Sequence, residues 1–200
     1  MRRQTHRAGP RFFDPVVVGQ RECDAWAAYY RHEWGSCLVG MIGMVAAGFG
    51  MGQGRTLRGA WYVLRANQVW APYPDNDPDR AREFMRRFYS LVALDGELPL
   101  NPIEAARLEV EWWRIHRVHQ RETGVEEDHL TAALQDLYAH VYGVDRAEVR
   151  AAAQHRVVAM RLSDAWVQAG CDPADPLLAQ ERLELVASYT ALREAVQQVS

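Results

Sequence analysis

Two hundred residues with 48% hydrophobic content are enough for one compact domain with a buried core, which excludes an intrinsically disordered chain. A formal charge of -3 with 24% charged residues lacks the basic excess of a dedicated nucleic-acid binder, so no nucleic-acid partner is expected. All 23 basic residues are arginine, which removes Schiff-base enzymes, lysine-bearing phosphate loops and Ser-Lys hydrolases. The three cysteines, Cys23, Cys37 and Cys171, show no CxxC spacing and fit neither a disulfide framework nor a zinc ribbon, so a reducing cytoplasm is the expected location.

Residues 1–13 carry Arg2, Arg3, Arg7 and Arg11 without a following apolar stretch, and read as a basic, flexible N-terminal arm. Residues 14–198 read as a single all-α domain, a helical bundle of about seven helices with a glycine-rich turn after the first. Asp14-Pro15, Asp77-Pro78, Asn101-Pro102 and Asp175-Pro176 each set a capping side chain before a proline, whose missing N–H would be an orphan at the first helical position anyway. Asp145 with Glu148 resembles a capping box and marks a fifth start.

In the first helix Cys23, Trp26, Ala27, Tyr30, Trp34, Cys37, Met41, Met44 and Val45 follow a 3- and 4-residue spacing that continues through Gly35, where the helix runs on or kinks. Residues 35–54 carry no formal charge. Seven of these twenty residues are glycine, so the segment reads as a buried helix and a tight glycine turn rather than as a membrane-associated stretch. A helix over Thr56 to Trp70 and another from Pro78 to about Ala93 follow, the second turning Arg80, Arg82, Arg86 and Arg87 outward as a solvated face. The helix from Pro102 to about Arg121 has two apolar faces and is the expected central element. Leu130 to Val141, Asp145 to Ala169 and Pro176 to Val196 complete the set.

Histidine and carboxylate positions give the sharpest chemical candidate. His116 and His119 point the same way from one helix, Glu109 lies two turns earlier on that side, and His129, Asp136 and His140 share a stripe on the next helix. Convergence of the six would hold a transition metal or support a haem. In outline this resembles a ferritin-like di-metal carboxylate bundle, a family with a Glu-x-x-His motif on each of two helices. The sole match here, Glu126 to His129, stands at a helix start, and no family residue is carried over. Histidines that fill boundary positions or hydrogen-bond within the bundle explain the same pattern.

Gly54, Arg55 and Arg58 stand before or within the first turn of a helix, where free backbone N–H groups and two guanidinium groups would cradle an anion. Asp75 to Asp79 reads as a turn with a helix cap, since the glycine and glutamate of a calcium loop are missing. Asp164, beside apolar neighbours, calls for a partner, and an arginine from another helix is the simplest.

Two functions follow as expectations. One is a non-catalytic module that binds a partner protein or a small hydrophobic ligand, suggested by seven tryptophans, eight tyrosines and six methionines. The other is a metal- or haem-dependent oxidoreductase at the carboxylate and histidine cluster. A homo-oligomer is compatible with either.

Overall fold

The computed structural model describes residues 9–121 and 127–198. Among them every regular element is an α-helix: α1 (Pro15–Tyr30), α2 (Trp34–Phe49), α3 (Gln53–Trp70), α4 (Pro78–Ala93), α5 (Pro102–His119), α6 (Glu127–Tyr142), α7 (Arg150–Gln168) and α8 (Pro176–Gln197). The four proline-led starts are where the capping pattern puts them. Asp14 accepts from the amides of Val16 and Val17, Asp77 from Arg80, Asn101 from Ile103 and Glu104, and Asp175 from Leu177.

The described helices number eight rather than seven because the expected first helix is two. α1 ends in a Schellman motif: the amide of Glu33 donates to Ala28 O (2.8 Å) and that of His32 to Tyr29 O (3.0 Å). His32 takes the left-handed conformation, φ 58°, usually given to glycine, and its ring stacks on Trp34. The chain then reverses. α2 runs antiparallel along α1, so the apolar stripe continues in register on a second rod. Gly40 makes the close approach: a Cβ there would meet the backbone of Ala25 at 2.9 Å. The glycine-rich turn therefore follows the second helix, with Gly50 left-handed (φ 60°) at its end and Gly52 preceding α3.

The extensive helix contacts are α1 with α2, α2 with α3, and so on through α7 with α8, and α8 returns to α1. The helices thus form a closed cycle, each flanked by its neighbours in sequence. α5, expected at the centre, is one stave of this ring, packed between α4 and α6. Its two apolar faces serve those neighbours and the interior, where Leu108, Val110, Trp112 and Trp113 are buried. The closing seam between α8 and α1 is tight, because a Cβ on Gly19 would lie 2.8 Å from the amide nitrogen of Val186.

Residues 9–13, expected within the flexible arm, are packed: Phe13 is buried, and Arg11 donates to the carbonyls of Val196 (3.0 Å) and Tyr142 (2.5 Å). The guanidinium thereby joins the C-terminal ends of α6 and α8. Residues 1–8 lie outside the described residues, as does Glu126. Asp145 does not cap α7. It accepts from the amide of Ala147 (2.8 Å) in a turn, and the helix begins at Arg150. On α4, Arg82 pairs with Asp79, and Arg86 and Arg87 with Glu83, as a solvated face should. No described helix is long and apolar enough to cross a membrane.

The ring seam makes a testable prediction. Gly19→Ala forces α1 and α8 apart and lowers stability by about 1–3 kcal/mol before a helix-propensity gain of up to ~1 kcal/mol. Gly35→Ala, with nothing within 4 Å, stays within about 0.5 kcal/mol of the parent. Urea unfolding midpoints distinguish the two, and equal stability of the variants would contradict the seam.

Candidate binding chamber

Glu22 on α1 and Arg156 on α7 are 4% and 7% exposed, so both charges are withdrawn from water and each requires the other. Their pairing is bidentate: Nη1 donates to Oε2 at 2.8 Å and Nη2 to Oε1 at 2.5 Å. Tyr189 of α8 donates to Glu22 Oε2 at 2.6 Å and accepts from Arg156 Nη1 at 3.4 Å. The guanidinium carbon lies 5.0 Å from the ring centre of Trp26 and 5.7 Å from that of Trp112, within cation–π range. Burial works against the charge of Arg156, but the Glu22 carboxylate and the Tyr138 and Tyr189 oxygens outweigh it and keep the group protonated.

Two adjoining cavities open around this pair, of about 140 and 130 Å³. Seven residues line both: Glu22, Met44, Val63, Met85, Glu109, Trp112 and Arg156. The first continues among Trp26, Tyr29, Tyr30, Trp70 and Trp113 toward His116. The second continues among Phe13, Phe88, Tyr89, Leu137, Tyr138 and Leu192. All eight helices contribute to these walls, as expected if the open space lies inside the helical ring.

Glu109 stands where the two chambers meet. Its Oε2 accepts from Tyr89 at 2.6 Å, and its Oε1 from the indole N–H of Trp112 (3.1 Å) and of Trp113 (3.2 Å). Burial raises its pKa, and Tyr89, Arg156 and Trp112 oppose the shift by stabilising the carboxylate. The aromatic wall is therefore held by the same carboxylate that supplies the chamber's polarity.

The six residues considered for a metal are spread along α5 and α6. Glu109 and His116 line the first chamber, but His116 Nε2 is engaged by Asp164 Oδ2 at 3.0 Å. Asp164 Oδ1 also accepts from Gln120 at 2.6 Å, so its described partners are a histidine and an amide in place of the expected arginine. His119 Nε2 is buried without a partner, and its pKa is lowered by burial and then by His116 and His129. His129 is exposed. At the other end of α5, His140 Nε2 lies 3.1 Å from Asn101 O, about 20 Å along the helix from His116. Asp136 pairs with Arg146 at 2.9 Å. Among the described residues no group of three or more His, Cys, Asp or Glu is placed to hold a metal ion. For the anion candidate, Arg55 is bound to Asp95 (2.8 Å), a Cβ added at Gly54 would meet nothing within 4 Å, and Arg58 is exposed.

Glu22, Tyr138, Arg156 and Tyr189 were not candidates in the sequence, although a signal exists. Arg156 interrupts a stripe of Ala152, Ala153, Ala159 and Met160, and Glu22 one of Val18, Ala25 and Trp26. A charge inside an apolar stripe needs a buried counter-charge.

A second buried carboxylate sits between α1, α7 and α8. Glu181 is inaccessible to solvent, neither of its oxygens has a hydrogen-bond partner, and Ser163 and Cys23 stand nearby. Burial, then the neighbouring Glu22, pushes its pKa to about 8 from the ordinary 4.5. The folded state thus keeps a proton that the unfolded chain releases at lower pH. The resulting stabilisation is complete below about pH 4.5 and falls away as pH rises to about 8. Glu181→Gln is expected to flatten this decline, read as denaturant midpoints at pH 5 and pH 8; an unchanged slope would contradict it. Arg156→Met should destabilise by about 3–5 kcal/mol by leaving Glu22 unpaired, and Glu22→Leu added to it should recover much of the loss. Equal stabilities of the single and double variants would contradict the pairing. No family model, characterised protein or solved structure matches the chain.

Proposed function

We propose that this protein is a non-catalytic binding module that takes a small, largely apolar molecule into the chambers inside its helical ring. The observation that carries this reading is the pair of adjoining cavities of about 140 and 130 Å³, walled by aromatic and methionine side chains around a few fixed polar groups. An apolar cavity of roughly 150 Å³ holds a benzene-sized molecule, so each chamber suits one ring and the two together suit a two-ring compound. Met41, Met44 and Met85 line the walls, and their flexible thioethers adapt to guests of different outline. Three unpaired cysteines, two of them buried, accord with a reducing cytoplasm.

The reading is tested by titrating toluene and naphthalene into the full chain, followed by tryptophan fluorescence and the thermal midpoint. Trp26, Trp70, Trp112 and Trp113 line the first chamber, so saturable binding should change the emission and raise the midpoint with ligand concentration. Val63 lines both chambers, and Val63→Phe should weaken binding at least about tenfold in a folded variant, equivalent to roughly 1.4 kcal/mol. Absence of saturable binding, or undiminished binding by the filled variant, would contradict the proposal.

A further inference from the structure

The wall of the first chamber changes character along α5. At one end α5 supplies Glu109 and two buried indoles, and at the other His116, Arg117 and Gln120. Gln120 is exposed and Arg117 half-buried, so the chamber reaches solvent beside them. Arg117 stands about 12 Å along the helix from Glu109. Its guanidinium carbon lies 5.3 Å from the ring centre of Trp70, another lining residue, and Nη2 makes a long, 3.5 Å hydrogen bond to the Trp70 carbonyl. The same group stands close enough to the Tyr29 hydroxyl, also on this wall, to favour its ionisation. These partners hold the guanidinium at the mouth without neutralising it. Among the described residues no carboxylate pairs with Arg117. Arg156, the other guanidinium on the wall, is already paired with Glu22.

The charges around the chamber therefore differ between its mouth and its depth. Beside the mouth, Asp164 is occupied by His116 at 3.0 Å and Gln120 at 2.6 Å. Arg121 lies 3.6 Å from the ring centre of Tyr73, which Arg117 faces at 5.6 Å, and adds positive charge on the outer side. In the depth, Glu109 is a further carboxylate next to the neutralised pair, so an anion there would meet repulsion in a desolvated space. A guest with an apolar body and one anionic end is thereby oriented, body inward and charge outward. A carboxylate is planar, singly charged and accepts two parallel N–H bonds from one guanidinium. A phosphate dianion would set a second negative charge beside Asp164.

On the basis of the ligand-binding reading above, we infer that the first chamber binds a small arylalkyl carboxylate, its ring seated among Trp26, Met44, Trp112 and Trp113 and its carboxylate paired with Arg117 at the mouth.

Hydrocinnamate and hydrocinnamamide share a shape and differ in charge, so together they separate ion pairing from simple apolar binding. Each is titrated by calorimetry into the full chain, into Arg117→Met, which keeps an apolar stem, and into Arg117→Lys, which keeps the positive charge. In the parent the acid should bind at least about tenfold more tightly than the amide, and Arg117→Met should remove most of that difference while changing amide affinity by less than about twofold. Arg117→Lys should fall between the two, since an ammonium supplies charge without the planar fork. Amide binding equal to or tighter than acid binding, acid affinity undiminished in Arg117→Met, or an equal loss for both compounds in that variant would overturn the inference and leave the apolar chamber standing. Naphthalene titrated in parallel separates the two claims. Saturable naphthalene binding without binding of the acid overturns the inference alone, and failure of all three compounds overturns the chamber reading as well.

Discussion

The bidentate contact between Glu22 and Arg156 is the constraint around which the interior is arranged. Neither charge can be buried alone, so α1 and α7 must present them to each other, and Tyr189 ties the same carboxylate to α8. The first, seventh and eighth helices are thereby fixed where the chain's two ends meet. Such a pair contributes little net stability once desolvation is counted, but mispairing it is expensive. Its value lies in specifying how the ring closes. The seam beside it is shaped to match: Gly19 lets α1 approach α8, and Arg11 joins the ends of α6 and α8.

A cycle of eight helices surrounds more space than four-helix packing does, and no ninth element fills it among the described residues. Long side chains extend inward instead. Trp26, Trp70, Trp112 and Trp113 cover much of the space, and the indole N–H groups of the last two converge on Glu109. Rings pinned by a shared acceptor cannot collapse freely onto one another. The close glycine contact between α1 and α2 and the open interior are thus parts of one arrangement: tight where backbones meet, loose where pinned aromatic and charged groups face each other.

How much of this the sequence revealed follows from what each signal measures. Capping chemistry is local, so Asp14, Asp77, Asn101 and Asp175 marked helix starts without any knowledge of the fold. Apolar spacing reports which face is buried and is silent about where the chain reverses, so the turn at His32 went unseen. His32 occupies a left-handed position without the glycine that would have announced it. The same limit made α5 look central, because two apolar faces describe a stave flanked on both sides as well as a buried rod. Imidazoles on facing helices suggested a shared site, but His116 and His140 lie at opposite ends of an antiparallel pair and satisfy local partners. Pairing Glu22 with Arg156 joins positions 134 residues apart, which needs the tertiary arrangement.

The central claim is that polar groups paired inside this ring hold open an apolar space. Diffraction from crystals of the protein pressurised with xenon tests it without assuming any ligand chemistry, since xenon occupies dry cavities whatever their polar rim. The account predicts xenon on both sides of the Met44, Val63 and Met85 wall, within the two chambers that Glu109 and Arg156 share. An interior without xenon, with those side chains packed against one another, would contradict it.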